Sequence, residues 1–356
     1  MSKVIVVQVI YNNRQWIEPV FTAIFNQTFK DFKVVVVIAG NEDGSKELLL
    51  EKFPNVEVID PGYNIGFAKG HNLVFQKYPA DCYQLVNPDM IMEPNYIEEM
   101  LKAFEDEKVG GATGKLYRIA NSEKRIESRE EKILDTTGVV IKKSGRAFDR
   151  GQNEVDKGQY DTLLSVDAVS GAGAMYRRIA LEAVSHRKNL VPEPVEGLNF
   201  DPFDLSSRAD KSARYGAGKL SDQNFEFFDE DFHSYWEDVD LSWRMNNKGF
   251  KNVFVPKAVG YHARTAGSSK NGYLDVVGFI KHHRALPLRI RQLNYKNHIL
   301  MYIKNSKWFY PQFFIREFFM FLYILLFETT TLKILPILFK QIPIIWEKRK
   351  YFYETR

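Results

Sequence analysis

The chain reads as an α/β fold on a doubly wound, mixed sheet, and three features of its N-terminal third predict this. Lys3 to Ile10 and Lys33 to Ile38 are β-branched apolar runs, and a helical pattern through Trp16, Val20, Ile24 and Phe25 lies between them. Continuous apolar strands of this kind belong to a sheet covered on both faces. A further helix over Ser45 to Phe53 leads into a third short strand, Val56 to Ile59, which repeats the strand, helix, strand unit.

Open α/β sheets bind ligands at the carboxyl ends of their strands. Here those ends are small and polar: Tyr11-Asn12-Asn13, then Gly40 to Ser45 with Asp43, then Pro61 to Phe67. No Gly-x-Gly-x-x-Gly follows the first strand and no Walker lysine loop is present, which argues against dinucleotide dehydrogenases and P-loop enzymes.

Beyond Asn64-Ile-Gly-Phe-Ala-Lys-Gly-His-Asn72, the apolar run Tyr83 to Val86 ends in Asn87-Pro-Asp89. A carboxylate fixed directly after a strand suits a hard cation carrying a diphosphate, and the same tripeptide is equally a good turn. Lys108 to Gly151 reads as strands and turns, an antiparallel flap with Lys143, Arg146 and Arg150 either near phosphate or simply solvated. Ser170 to Ala174 offers close backbone approach at Gly171, or a tight strand turn. Residues 189–224, rich in Pro, Gly, Ser and Asp and without periodicity, read as an inserted surface loop.

The densest chemistry lies in Phe228 to Arg244, where Asp229, Glu230, Asp231, Glu237, Asp238 and Asp240 alternate with aromatics. A helix begins after Trp236 with Glu237 and Asp238 in its first turn, a place where acids also serve as caps. Aromatic neighbours that exclude water make such a carboxylate a usable base.

The composition, 45% hydrophobic and 26% charged over 356 residues, is globular, and a net charge of +4 gives no argument for nucleic acid. Cys82 is the single cysteine, so no internal disulfide forms. Val4 to Val7 lacks a basic leader, and a cytoplasmic protein is expected. Towards the end, Lys281, Arg284, Arg289, Arg291 and Lys296 precede the apolar run Phe318 to Phe327. That run is shorter than the roughly 20 residues of a spanning helix, so helices lying in a membrane interface are expected, with a homodimer contact as the alternative use of the same surface.

Tyr11-Asn12, Asp43-Gly44-Ser45, Asn64 to Asn72, Asn87-Pro-Asp89, Val166 to Met175, Tyr235 to Arg244 and Tyr261-His262 stand in the order found in family 2 inverting glycosyltransferases. The chain resembles that family from about residue 3 to about 305, most of all its bacterial rhamnosyltransferase branch. The resemblance implies a GT-A fold over residues 1–272 with a helical, membrane-associating region over 273–356. It implies a nucleotide-diphosphate donor, dTDP-L-rhamnose being the candidate, a divalent cation (Mg²⁺ or Mn²⁺) and a lipid-linked envelope glycan as acceptor. The protein would then sit peripherally on the inner face of the cell membrane.

Carried over by position, Asp238 with Glu237 is the catalytic pair and Asp89 with His262 meets the metal. Tyr11, Asn12, Asp43, Asn64, Gly66, Phe67, Lys69, Asn72, Asn87, Asp89, Gly171 and Trp236 hold the donor. The chain departs from the pattern at Ile38-Ala39, where relatives often carry an acid that reads the base, and at Asn87, where many carry a first Asp. An inverting transfer needs a base on the acceptor and charge neutralisation at the diphosphate, without a protein nucleophile. The reading from another class is an inactive nucleotide-sugar or glycan-binding scaffold. A processive synthase would need spanning helices.

Overall fold

The computed structural model describes residues 2–119, 132–187, 225–264 and 276–354. The insertion expected over 189–224 lies outside them, as do Thr265, Ser268 and Ser269. The strands are β1 (Val4–Tyr11), β2 (Phe32–Gly40), β3 (Glu57–Ile59), β4 (Cys82–Leu85), β5 (Met90–Met92), β6 (Val109–Arg118) and β7 (Leu134–Thr136). They continue as β8 (Val139–Ile141), β9 (Ala147–Asp149), β10 (Ser165–Val166), β11 (Ala174–Arg177), β12 (His186–Arg187), β13 (Phe225–Glu226) and β14 (Lys251–His262). The helices are α1 (Ile17–Phe25), α2 (Ser45–Lys52), α3 (Phe67–Lys77), α4 (Tyr96–Ala103) and α5 (Arg178–Val184). After them come α6 (Glu237–Asn247), α7 (Val276–Ala285), α8 (Leu288–Asn305), α9 (Pro311–Phe327) and α10 (Leu335–Glu354).

Among the described residues the main sheet runs β10-β14-β6-β11-β4-β1-β2-β3, with β5 added on β14 and β7 on β6. The β1, β2, β3 and β4 pairings are parallel, while β11 is antiparallel to both β4 and β6. The sheet is therefore mixed, as expected.

Alternation along β1 and β2 sends side chains to opposite faces. Val4, Val6, Val34 and Val36 face α1 and α4, while Ile5, Val7, Val35 and Val37 face α3, α5 and α6. Each fully buried aliphatic side chain contributes about 1.5–3 kcal/mol over its exposed state. Such two-sided burial explains why these strands show no polar alternation.

One expectation is corrected here. Gly114 to Tyr117 is no flap: it belongs to β6, deep in the sheet between β14 and β11. Tyr96 and the Ala258 carbonyl leave no room for a Cβ at Gly114, so a buried crossing, not an open edge, selects glycine there. Among the described residues of this stretch, β8 and β9 form an antiparallel hairpin as expected, and β7 pairs antiparallel with β6.

The C-terminal helices are built into the α/β core. Helix α8 packs against α6 and α10, and Leu300, Met301, Leu338 and Ile345 share an apolar cluster with Phe232 and Val239. Beneath it lies a buried ionic network. Lys304 Nζ donates to Asp229 (2.6 Å) and Asp240 (3.0 Å), and Lys348 Nζ donates to Asp229 (2.6 Å) and Asp231 (2.7 Å). Burial opposes ionisation of Asp229, yet the two ammonium groups prevail and hold its carboxyl well below the usual range.

Candidate active site

A cavity of about 570 Å³ opens where β14, β5 and the N-terminus of α6 meet. Asn87, Asp89, Gly171, Trp236, Glu237, Asp238 and His262 all line it, with Phe67 at its edge. The two acids singled out in the sequence, Asp89 and Asp238, thus face one space.

Register brings the first half together. His262, the last residue of β14, pairs with Met90, so Asp89 lies beside it. The Asp89 carbonyl accepts from the Ala263 N–H (3.1 Å) and the Asn87 N–H donates to the Ala172 carbonyl (2.8 Å), which fixes both ends of the Asn-Pro-Asp turn. His262 Nε2 stands 3.2 Å from Asp89 Oδ1, and its Nδ1 is 2.9 Å from Asp135 Oδ2. Burial works against the imidazolium, but the two carboxylates raise its pKa to about 9. Arg264 continues the chain to Asp149 at 2.7 Å.

The residues at this point fit a divalent cation. A carboxylate oxygen and an imidazole nitrogen lie side by side, and the imidazole is oriented from behind by Asp135, as ligating histidines usually are. A cation bound there displaces the proton from His262. A second grouping, His186, Glu226 and Asp229, has ligand-like spacing, but Lys348 contacts both acids and Lys304 contacts Asp229, so its charge is met from within the chain.

The His262 proton makes stability depend on pH. Its folded pKa lies above the ordinary 6.5, so the stabilisation is complete below 6.5 and is lost as pH climbs through about 9. Lys296 acts in the opposite sense, since burial presses its pKa down to about 8 and deprotonation above that relieves the fold. In EDTA, the wild-type melting temperature minus that of His262→Gln is therefore expected to shrink from pH 6 to pH 9.5. A difference independent of pH would contradict the pairing.

The second half rests on backbone geometry. His233, Tyr235 and Trp236 have positive φ (61°, 69° and 75°), a conformation costing about 1–3 kcal/mol each for side chains of this kind. Asn297 Nδ2 holds the loop in place by donating to the carbonyls of Phe232, Ser234 and Tyr235 (2.8–2.9 Å). Trp236 Nε1 donates to Asn294 Oδ1 (2.9 Å). Helix α8 therefore supports the turn that launches α6.

Asp238 accepts the Gly171 N–H on Oδ2 and its neighbour Val239 N–H on Oδ1, both at 2.8 Å. Burial outweighs these donors and raises its pKa, so the carboxylate is a stronger base than a surface aspartate. Glu237 is buried with Oε2 lacking a partner among the described residues, and burial together with the Asp238 charge pushes it well above its ordinary value. Both carboxyls are pushed up by burial, Glu237 with the Asp238 charge added, so Glu237 resists ionisation beside its neighbour.

The remaining donor candidates divide. Tyr11, Asn12 and Asp43 sit together at the ends of β1 and β2: Tyr11 is half exposed against Gly40, Asn12 exchanges hydrogen bonds with Glu42, and Asp43 accepts from the Arg14 and Ser45 N–H groups. Lys69 lies over the Tyr63 ring. Asn72 is corrected: it is buried and bonded to Phe227, Phe228 and Glu230, so it ties α3 to the acidic segment and offers a donor nothing. Arg150 is likewise spent on Thr137 and the Ser165 carbonyl.

Asn64 makes an Asx turn onto the Gly66 N–H (3.0 Å). Gly66 has φ +78°, and a Cβ there would lie 2.6 Å from the His233 ring. Gly66→Ala is therefore expected to cost about 1–3 kcal/mol in thermal or urea unfolding and to displace the strained loop. Unchanged stability would show that the ring moves freely.

Asp135, Asp149, Arg291, Arg316 and His298 also reach the site, and sequence reasoning gave none of them a role at this centre. Asp135 arrives behind His262 through the β6–β7 pairing, Asp149 ends β9, and Arg291, His298 and Arg316 line the cavity from α8 and α9.

Residues 5–184 match the family model "Glycosyl transferase family 2". Over 279 residues the chain is 22% identical to N-acetylglucosaminyl-diphospho-decaprenol L-rhamnosyltransferase of Mycobacterium tuberculosis, covering 75% of this chain and 78% of the relative. Among solved structures it is similar to GalNAc-T7 with UDP, GalNAc and Mn²⁺ (TM-score 0.52, 11% identity, 85% of this chain and 48% of that one). It also aligns with TarS of S. aureus (TM-score 0.45, 13% identity, 86% of this chain and 44% of that one). The chain spans less than half the length of either structure.

Proposed function

The chain belongs to glycosyltransferase family 2 and has the GT-A fold, and from that premise we propose that it transfers a sugar, L-rhamnose from dTDP-L-rhamnose, to a lipid-linked envelope glycan with inversion at the anomeric carbon. The observation that carries this reading is the convergence of Asp89 and Asp238 on one cavity. The similarity to a rhamnosyltransferase named for a diphospho-decaprenol substrate supports the choice of sugar and acceptor class.

In this reading the acceptor hydroxyl gives its proton to Asp238 as its oxygen bonds to the anomeric carbon from the face opposite the diphosphate. The sugar-to-phosphate bond breaks in the same displacement, and the diphosphate carries the electron pair away. Burial and the Asp238 charge favour the protonated form of Glu237, and in that form it can donate a hydrogen bond to the acceptor. Asp89 and His262 would hold Mg²⁺ or Mn²⁺, which would neutralise charge on the departing diphosphate. Arg264, fixed between Asp135 and Asp149, places a second cation in the same cavity. Tyr11, Asn12 and Asp43 take the nucleoside end; Asp43 is held by Arg14 and Ser45, so main chain and the exposed Tyr11 ring read the base.

Membrane association belongs to the same proposal. Among the described residues no single helix is long and apolar enough to cross a membrane, and the one pair that passes together is bent by 118°. Helix α9 exposes Phe318, Phe319, Leu325 and Leu326 by 46–64%. A continuous apolar face of that kind suits the bilayer interface on the cytoplasmic side.

The test combines purified full chain, dTDP-L-rhamnose, Mg²⁺ or Mn²⁺ and a glycosylated prenyl diphosphate acceptor. Transfer with inverted anomeric configuration is expected. Retention of configuration, or donor turnover that ignores every lipid-linked acceptor, would overturn the assignment.

A further inference from the structure

The α7–α8 segment from Val276 to Asn305 contains Lys281, Arg284, Arg289, Arg291, Lys296 and Lys304 and no Asp or Glu. Of these, Arg291 lines the cavity, and Arg316 of α9 joins it from the neighbouring helix. Each guanidinium is only partly used. Arg316 places Nη1 between His298 and Glu317, and Arg291 meets Glu328 through Nη1 at 3.4 Å. Among the described residues the buried Nε of both arginines has no acceptor.

Two buried donors left unpaired on one wall call for an explanation, because each such group costs roughly 1–3 kcal/mol. An arginine fork matches a phosphate in two parallel hydrogen bonds. Helix α9 adds direction. Arg316, Met320 and Ile324 recur every fourth residue and face the cavity, while Phe318, Leu322, Leu325 and Leu326 stand exposed on its other side. A molecule with an anionic head and a long apolar tail would meet the arginines inside and the apolar helix outside.

We propose that Arg291 and Arg316 form a subsite for the diphosphate of the lipid-linked acceptor, on the helix-built part of the cavity lining and distinct from the donor's diphosphate site. The proposal rests on the acceptor class named above and assigns the residues that recognise it. The donor diphosphate is met at Asp89, His262 and Arg264; the acceptor diphosphate is met by the helices. Glu317 and Glu328 hold the two arginines in place between turnovers and keep the empty wall from collecting free anions.

Binding to farnesyl diphosphate, farnesyl monophosphate and farnesol in neutral detergent with EDTA tests this, read by fluorescence of Trp236 and the other tryptophans. EDTA removes the cation on which the donor site depends. Wild type is expected to bind the diphosphate about tenfold or more tighter than farnesol, and Arg291→Gln/Arg316→Gln to bind the two alike. Binding of a nucleotide with Mn²⁺ should be unchanged in the variant.

Equal binding of diphosphate and farnesol by wild type, or a preference that survives the double substitution, would overturn the subsite. Arg291→Gln alone, which leaves the Arg316 contacts to Glu317 and His298 in place, guards against misfolding and is expected to lose part of the preference. Phosphatidylglycerol vesicles form the second arm: a substitution that weakens vesicle binding as much as diphosphate binding would assign the arginines to membrane headgroups instead, and so refute the acceptor role. If the diphosphate preference holds but no glycosylated lipid accepts a sugar, the transfer reading fails and the subsite stands.

Discussion

Asp238→Asn is expected to keep nucleotide-sugar binding and to lose turnover by about three orders of magnitude, the middle of the usual range for removing a general base. Both Asp238 oxygens accept main-chain N–H groups, so an amide must turn its own NH₂ towards either Gly171 or Val239. The substitution thus removes the proton acceptor and disturbs its position together. Donor binding reports on Asp89, His262 and the Tyr11 end of the cleft, which Asp238 does not touch. Single-turnover kinetics with the nucleotide affinity measured in parallel check this, and a variant that turns over within tenfold of wild type would remove Asp238 from the base role. The pH profile adds a sign: burial raises the Asp238 pKa, so the acid limb of kcat/KM should fall at higher pH than an ordinary carboxylate would give.

Lys304→Met should produce the second large effect, a loss of several kcal/mol of stability. Lys304 has no exposure and joins Asp229 to Asp240, both also without exposure. Removing one partner of a buried ionic group typically costs about 3–5 kcal/mol, because the charge left behind keeps its desolvation penalty without its compensation. Lys348 still meets Asp229 and Arg244 still meets Asp240, which places the loss at the lower end of that range. Adding Asp229→Asn to Lys304→Met should recover part of it. Urea unfolding measures both, and a double variant no more stable than Lys304→Met would show that the deficit comes from packing.

Much of the fold was legible because local chemistry decides it. The valine runs of β1 and β2 have no other stable use than a sheet buried on two sides, and the acid-aromatic block around Trp236 marks itself by composition. Asp89 and Asp238 stood out because each lies at an element's end, where sequence patterns change, whereas His262 was named through the resemblance; the structure brings all three to one cavity. Asp135 left no such trace, since only the pairing of β7 with β6 carries it behind His262. Asn72 misled for a related reason: it stands inside the Asn64 to Asn72 motif carried over from the family, but its partners lie more than a hundred and fifty positions away. The apolar and basic character of the C-terminal helices was visible, whereas their place as a wall of the cavity depends on the packing of α8 against α6.

Support of the strained turn by Asn297, and of Asp229 and Asp240 by Lys304, sets an order on biosynthesis. The base is translated well before the residues that hold it in position, so a growing chain that has already formed its sheet still lacks a working centre. The cavity is completed late, when α8 and α9 dock and bring Arg291, His298 and Arg316 to its lining, so an unfinished polypeptide holds Asp238 in a turn that nothing yet supports.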